Sequence, residues 1–258
     1  EGAVEHVEFD PTGKLLATSA WDDTIKVWDL NDAGAMTTQI SSTVGASSSS
    51  GNEMDVDQKE KPVGNKKSKT AESKSGGDAV SLIPARSTMT GHNQCVSTLQ
   101  WISVDQLVSG SWDHSLRFWD VESGVCTKHF DGNKVILSLD SSDLNGLVAT
   151  GHADRTVRTW DPRVAIESTS LSTAYTSHAG WVSSVAWHPT NPHILLSASF
   201  DTSIKVWDLR SSTPLHTMPS QHADKVTSIA WIDAEHFVSG GADKFVRTYN
   251  FPVSSSSA

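Results

Sequence analysis

The sequence predicts an all-β protein whose chain folds into repeated four-stranded units, the blades of a β-propeller. Segments of about 12 residues recur five times in one register, and each alternates apolar with polar residues around an Asp-containing turn, which is typical of a β-hairpin. Successive closing aromatics are mostly about 40 to 50 residues apart, close to the period of about 40 to 45 residues of propeller blades. The closing residues are Trp28, Trp119, Trp160, Trp207 and Tyr249.

Each hairpin is preceded by a further predicted strand. In this strand a valine is followed by a second apolar residue and then an aromatic residue at a fixed spacing, as in Val96, Leu99 and Trp101. Together with an outer strand, these elements make up the four strands of a blade.

The composition predicts a soluble, intracellular protein. The chain has 258 residues and a formal net charge of −10, and no apolar run approaches the ~18 residues of a membrane span. Its two cysteines, Cys95 and Cys126, are too few for a disulfide scaffold, and without a signal-like start we expect reduced thiols. The acidic balance argues against non-specific binding of nucleic acid. Ten Trp against two Tyr indicate that a Trp-bearing unit recurs.

The predicted organisation is one blade over residues 1–30, a disordered low-complexity insertion over 31–80, an outer strand with four further blades over 81–253, and a Ser-rich tail over 254–258. The insertion contains no aromatic residue and is rich in Ser, Gly, Lys and Asp. Its lysines are compatible with a nuclear-import signal, a phosphate-contacting tail or a solvated linker. The chain begins inside a first strand and shows no outer strand after Tyr249. We therefore expect five blades that form the C-terminal part of a seven-bladed ring.

The repeated segments resemble the WD-repeat family, whose repeat opens with Gly-His and closes with Trp-Asp. The resemblance implies a hydrogen-bonded tetrad of His, Ser or Thr, Asp and Trp in each blade, because a buried Asp needs partners. Two sets are complete, and a third has Tyr249 in place of Trp. Their members are His92, Ser109, Asp113 and Trp119; His178, Ser197, Asp201 and Trp207; and His222, Ser239 and Asp243.

Two repeats lack the tetrad histidine. The first has Thr18, Asp22 and Trp28, and the third has Thr150, Asp154 and Trp160 with Asn133 where His is expected. We expect the third blade to be looser for this reason. His152 follows a glycine, but it aligns with the inside of a second strand and is therefore not interpreted as a repeat opening.

The sequence predicts no enzymatic activity. Asp113, His114 and Ser115 are consecutive residues of a tight turn, so their side chains diverge and do not form a catalytic triad. Phosphate-binding and nucleophile-elbow motifs are absent, and the histidines do not stand at metal-ligand spacing to Cys or carboxylates. We expect no cofactor, no metal and no small-molecule ligand.

The residues best suited to contact a partner lie on the rim formed by the loops before the first strands and the turns after the second strands. The partner-binding candidates are Trp21, Trp112, Trp181, Phe200 and Lys225. Large aromatic side chains on a surface often anchor protein partners. The alternative is that these rings fold over neighbouring loops and only complete the core.

Two further segments match the W-D-x-R pattern of substrate receptors for cullin-four ubiquitin ligases. They are Trp160 to Arg163 and Trp207 to Arg210. The pattern is short, and the structural interpretation, an Arg that closes the outer turn of the blade, is favoured.

The detailed sequence resembles the WD repeat-containing protein twelve family. The resemblance is carried by GHNQCVSTLQW with SGSWDHSLRFWDV, ATGHADRTVRTWDPR, SHAGWVSSVAWHP with SASFDTSIKVWDLRS, and SGGADKFVRTYN. It implies a non-catalytic scaffold of the PeBoW complex, which matures the large ribosomal subunit in the nucleus, nucleolus and nucleoplasm. The implied partners are the block-of-proliferation protein, pescadillo through it, and the pre-60S particle. Midasin, an ATPase, is bound in this family through a ubiquitin-like domain that these residues do not contain.

Overall fold

A computed structural model of the chain describes residues 2–30, 84–164 and 171–251. In these ranges the chain forms five antiparallel sheets, which we number as blades 1 to 5 in chain order. Blade 1 contains β1 (Val4–Phe9), β2 (Leu15–Ala20), β3 (Thr24–Asp29) and β4 (Ser87–Thr90). Blade 2 contains β5 (Val96–Ser103), β6 (Gln106–Ser111), β7 (Ser115–Asp120) and β8 (Cys126–Asp131).

The remaining blades follow the same order. Blade 3 contains β9 (Ile136–Ser141), β10 (Val148–His152), β11 (Thr156–Trp160) and β12 (Leu171–Thr176). Blade 4 contains β13 (Val182–Trp187), β14 (Ile194–Ser199), β15 (Ile204–Asp208) and β16 (Pro214–Met218). Blade 5 contains β17 (Val226–Trp231), β18 (His236–Gly241) and β19 (Val246–Asn250).

The first strands of successive blades, β1, β5, β9, β13 and β17, lie next to one another. This arrangement is that of a partial β-propeller, so the predicted all-β propeller class is confirmed. The seven-bladed ring stays a prediction. The predicted insertion over 31–80 and the Ser-rich tail lie outside the described residues. The disorder of the insertion and the role of its lysines stay predictions. Among the described residues, no helix has the length and apolar character needed to cross a membrane.

The core lies between the blades. Each of four buried clusters joins one blade to the next, as where Val27 and Met89 of blade 1 pack with Val96 and Leu99 of blade 2. The second strands contribute most to this burial, and all six residues of β14 are buried. A blade therefore buries its apolar faces only against its neighbours, which is the usual energetics of repeat architectures.

Indole groups on the first strands join the blades by hydrogen bonds. Trp101 Nε1 donates to the carbonyl of Glu8 at 3.2 Å, and Trp187 Nε1 donates to the carbonyl of Asp140 at 3.1 Å. Trp231 Nε1 bonds the carbonyl of Ala186 in the same way at 3.3 Å. Each bond crosses from one blade to the preceding blade, so the Trp at this repeat position sets the spacing between first strands.

Irregularities in the first strands add a second set of inter-blade bonds. The register shifts between Val96 and Thr98, and between Val182 and Ser184. Ser97 Oγ, at the first shift, donates to the carbonyl of Ile136 at 2.7 Å, and Ser183 Oγ, at the second, donates to that of Val226 at 2.6 Å. The bulges thereby turn two hydroxyls toward the next blade.

A buried carboxyl group also bridges the blades. Asp140 Oδ1 accepts from Gln100 Nε2 at 2.9 Å, and Oδ2 accepts from the backbone N–H of Trp187 at 2.6 Å. Burial raises the pKa of Asp140 to about 6 despite these hydrogen bonds. Asp140 thus links three neighbouring blades through one side chain.

The turn between the second and third strands has the same backbone conformation in every blade. The residue after each turn Asp has a positive φ, between 65° and 73°, although none is glycine. These residues are Asp23, His114, Arg155, Thr202 and Lys244. Asp and His tolerate this region better than a β-branched residue does, so Thr202, at φ 69°, carries the largest conformational strain of the set.

Replacing Thr202 with Asn should stabilise the protein by about 1 kcal/mol, because Asn enters the left-handed region at lower cost. Chemical denaturation of the Thr202→Asn variant measures this gain. The matched control is His114→Asn, for which we expect a smaller change because His already tolerates the conformation. Equal gains at both positions would show that β-branching does not cause the strain.

Candidate functional site

The structure brings the four predicted tetrad residues of blade 2 into one hydrogen-bonded chain. His92 Nδ1 donates to Asp113 Oδ2 at 2.9 Å, and His92 Nε2 accepts from Ser109 Oγ at 2.7 Å. Trp119 Nε1 donates to the same Ser109 oxygen at 2.8 Å. His92, Ser109 and Trp119 are all buried. These hydrogen bonds therefore give a partner to the indole N–H, to both imidazole nitrogens and to the serine hydroxyl, all of which are buried.

Blade 4 repeats this arrangement. His178 lies 3.0 Å from Asp201 and 2.7 Å from Ser197, and Trp207 Nε1 donates to Ser197 Oγ at 2.8 Å.

Blade 5 keeps the same contacts on the histidine side. His222 lies 2.8 Å from Asp243 and 2.7 Å from Ser239. Tyr249 takes the place of Trp, with its hydroxyl 3.2 Å from Ser239 Oγ. The phenol thus reaches the position that the indole N–H occupies in the other two blades.

The tetrad aspartates also hold the loop before the first strand. Asp113 Oδ2 accepts from the backbone N–H of Asn93 at 2.9 Å, and Asp201 Oδ2 accepts from that of Ala179 at 2.7 Å. Burial alone would raise the pKa of Asp113, but hydrogen bonds from His92, Asn93 and Ser115 outweigh burial and hold it well below its usual range. Asp113 therefore stays ionised and fixes the rim loop beside it.

Blade 3 differs from its sequence prediction. His152, which was interpreted only as a second-strand residue, is fully buried, and its Nε2 lies 2.7 Å from Thr150 Oγ1. Trp160 Nε1 donates to the same oxygen at 2.7 Å. His152 therefore supplies from β10 the imidazole that blades 2, 4 and 5 take from the preceding loop.

His152 reaches the Thr150 hydroxyl from β10 and not from the loop before the first strand. The turn aspartate of blade 3, Asp154, therefore has a different partner. Arg158 binds Asp154 with both terminal nitrogens, at 3.2 and 2.6 Å. Burial alone would raise the pKa of Asp154, but Arg158 and Thr156 lower it to about 2. Burial and the charge of Arg158 lower the pKa of His152 to about 3, so the imidazole is neutral. Sequence reasoning missed this role of His152, because the residue stands two positions after Thr150 and not before the first strand, where the histidines of the complete tetrads lie.

Blade 1 keeps part of the set. Trp28 Nε1 donates to Thr18 Oγ1 at 3.2 Å, and Thr24 Oγ1 donates to Asp22 Oδ1 at 2.6 Å.

The predicted rim aromatics form two pairs instead of one cluster. Trp21 of blade 1 and Trp112 of blade 2 meet edge to face, with ring centroids 5.1 Å apart. Trp181 and Phe200 of blade 4 stack at 5.8 Å. Blade 3 has Ala153 at the position of Trp112 and Phe200, so no ring connects the two pairs.

The rim candidates retain a large exposed surface. The exposed fractions are 47% for Trp21, 36% for Trp112 and 50% for Trp181, whereas Phe200 is half-buried. Lys225 is exposed and its Nζ lies 4.9 Å from the centroid of the Phe200 ring, a cation–π geometry. The rings therefore offer apolar area to a partner even after their mutual contacts.

The two W-D-x-R arginines pair with the aspartate of their own turn. Arg163 binds Asp161 through Nε and a terminal nitrogen, both at 2.8 Å, and Arg210 binds Asp208 at 2.9 and 2.6 Å. These contacts support the interpretation that each Arg closes an outer turn. In the described ranges, no group of three or more His, Cys, Asp or Glu side chains is arranged to hold a metal ion.

The sheet order and the tetrads together define a β-propeller built from repeats. The model of the WD domain, G-beta repeat, matches residues 1–29, 85–120, 124–161, 169–208 and 212–250. These matches cover more than half of the chain. Each contains the first three strands of one blade, preceded in all but the first match by the outer strand of the blade before it. The chain belongs to the WD-repeat family.

Curated relatives share the sequence over nearly its whole length. The chain is 36% identical to "Ribosome biogenesis protein WDR12 homolog" of Nematostella vectensis over 250 residues, which is 96% of the chain and 54% of the relative. The protein of that name in Arabidopsis thaliana is 36% identical over 248 residues, 96% of the chain and 51% of the relative. That of Culex quinquefasciatus is 30% identical, over 98% of the chain and 53% of the relative. The chain spans about half the length of these relatives.

Replacing Asp113 or Asp201 with Ala should destabilise the protein by about 1 to 3 kcal/mol each, because a buried imidazole N–H and a backbone N–H lose their acceptor. Asp154→Ala should cost less, since no tetrad histidine depends on this carboxylate. Chemical denaturation of the intact protein measures the three losses. Equal losses at all three positions would contradict the assignment of the tetrads.

Replacing His152 with Gln should reduce the pH dependence of the unfolding free energy between pH 6.5 and 4. The folded-state pKa lies below the unfolded value, so the unfolded chain binds the proton first, and stability falls as the pH falls through this window. A single proton changes the unfolding free energy by up to about 1.4 kcal/mol per pH unit. Denaturation at stepped pH measures the slope. His129→Gln, at an exposed position of β8, is the control. Its unfolding free energy should depend on pH as steeply as that of the parent protein.

Proposed function

We propose that the protein is a non-catalytic scaffold in the maturation of the large ribosomal subunit. The observation that carries this proposal is the sequence identity of 30% to 36% to relatives named as ribosome biogenesis proteins, over almost the whole chain. A propeller supports a scaffold function because a rigid ring of blades presents loops from several repeats at once. The chain spans about half the length of these relatives, so the proposal concerns the function of the whole protein.

The finer part of the proposal is membership of the PeBoW complex. From the family resemblance, the partners are the block-of-proliferation protein, pescadillo through it, and the pre-60S particle, with pre-rRNA processing as the task. The location that follows is the nucleus, nucleolus and nucleoplasm. Contact with midasin requires a ubiquitin-like domain and is assigned to no residue of this chain.

Affinity purification of the full-length protein tests this function. Recovery of the block-of-proliferation protein together with pescadillo and large-subunit precursors is the expected result. Recovery of a cullin-four adaptor without these proteins would overturn the proposal in favour of a ubiquitin-ligase receptor. The self-paired Arg163 and Arg210 argue against that second function.

The partner surface that we propose is the aromatic rim. Replacing Trp112 and Trp181 together with Ala should weaken partner recovery, because an anchoring ring contributes about 2 kcal/mol or more to binding. Melting should change little, since both rings are substantially exposed. Binding and melting are measured on the same preparations.

The matched control replaces Val125 and Leu144 with Ala. Both side chains are more than half exposed and neither lies on the rim, so this pair should leave partner recovery and melting unchanged. Partner recovery that survives loss of the rim rings would move the binding site to another face. Unfolding of the rim variant would assign Trp112 and Trp181 to the core.

A further inference from the structure

A cleft of about 530 Å³ lies on the rim beside blade 4. One wall is formed by the stacked rings of Trp181 and Phe200. Arg155 of blade 3 and Lys225 of blade 5 also line it, so three blades contribute side chains. The volume is in the range of binding pockets in proteins, which are about 300 to 1,000 Å³.

Two small residues, Ala153 and Gly180, line the cleft and leave space beside Trp181. Ala153 occupies the position that holds Trp112 in blade 2 and Phe200 in blade 4. Gly180 is required by close packing, since a Cβ there would lie 2.6 Å from the backbone nitrogen of Asp201. No side chain of either residue fills the space beside Trp181.

The lining combines an apolar wall with uncompensated positive charge. Arg155 and Lys225 are both exposed, and neither forms an ion pair within the part of the chain that the structure describes. The turn carboxylates of blades 3 and 4 are already engaged, because Asp154 binds Arg158 and Asp201 binds His178, and Asp224 Oδ1 accepts from the backbone N–H of Lys225. The two cations therefore remain available in a chain whose net charge is −10.

The other aromatic pair has the opposite character. Trp21 Nε1 donates a hydrogen bond to the carboxylate of Glu5. Burial, with the negative charges of Glu5 and Asp23, raises the pKa of the neighbouring Cys95 thiol. The rim thus has an acidic aromatic half at blades 1 and 2, and a basic aromatic half at blades 3 to 5. A ligand that carries negative charge is attracted to one half and repelled by the other.

We propose that the cleft binds a short acidic peptide segment of a protein partner. An apolar side chain of the segment packs on Trp181 and Phe200, while its carboxylates pair with Arg155 and Lys225. The inference rests on the proposed scaffold function and names the chemistry of its partner. A peptide is favoured over nucleic acid, because an extended polyanion would also meet the acidic half of the rim and the net negative charge of the chain.

Peptide selection on the full-length protein tests this proposal. Random 12-residue peptides displayed on phage are selected on the parent protein, and the dissociation constants of the best peptides are measured by calorimetry. We expect peptides that combine Asp or Glu with Leu, Phe or another large apolar residue. Peptides without acidic enrichment would overturn the proposal.

Two charge reversals locate the site. Lys225→Glu should weaken the selected peptides about tenfold or more, since a charge-assisted contact is replaced by repulsion. Lys14→Glu makes the same charge change in the turn between β1 and β2, at the opposite end of the first strands, and should leave affinity within about twofold. Equal effects of the two variants would overturn the assignment to the cleft. Lys225→Gln and the melting temperature of each variant exclude a folding defect, with a smaller loss expected for Gln than for Glu.

A 20-residue oligouridine serves as the probe for nucleic acid. Tighter binding of this RNA than of any selected peptide, abolished by Lys225→Glu, would identify a nucleic-acid site and contradict the proposal. The readout is independent of the cellular partners. Loss of ribosomal partners in affinity purification with intact peptide selection refutes the scaffold function alone, whereas failed peptide selection with intact purification refutes the cleft alone.

Discussion

The hydrogen bond between the histidine before a first strand and the aspartate of the next tight turn is the interaction on which the rim of blades 2, 4 and 5 depends. In blades 2, 4 and 5 it joins atoms 2.9, 3.0 and 2.8 Å apart. It connects two loops that are some 20 residues apart in sequence and fixes both at the rim. Because the imidazole also reaches the second-strand hydroxyl, one polar chain runs from the rim into the core. Breaking it therefore affects both stability and the surface that contacts partners.

The ten tryptophans explain how one repeat serves three purposes. Those that close a hairpin bond the tetrad hydroxyl, those that end a first strand bond the preceding blade, and those on the rim remain exposed. The closing residues are Trp28, Trp119, Trp160 and Trp207; the inter-blade residues are Trp101, Trp187 and Trp231; the rim residues are Trp21, Trp112 and Trp181. Repeat position decides the environment of the indole, so the same residue type stabilises the fold at one position and offers binding area at another.

The fold could be predicted because period-2 alternation and a fixed repeat place each strand independently of its neighbours. The proximity of His92 to Asp113 was predicted from the resemblance to the WD-repeat family, not from the strand pattern. The replacement of the loop histidine by His152 could not be predicted, because the two imidazoles approach one hydroxyl from unrelated sequence positions. The division of the rim into two pairs also escaped sequence reasoning. It depends on Ala153 and on the distance between blades, which side-chain periodicity does not encode.

The most direct test of this dependence is hydrogen–deuterium exchange of the Asp201→Ala variant of the full-length protein. Asp201 accepts the backbone N–H of Ala179, two residues before Trp181. The amides of the loop that carries Ala179 and Trp181 should lose protection, while β14 and β15 remain protected. Unchanged exchange of this loop would contradict the conclusion that the tetrad aspartate holds the rim in place.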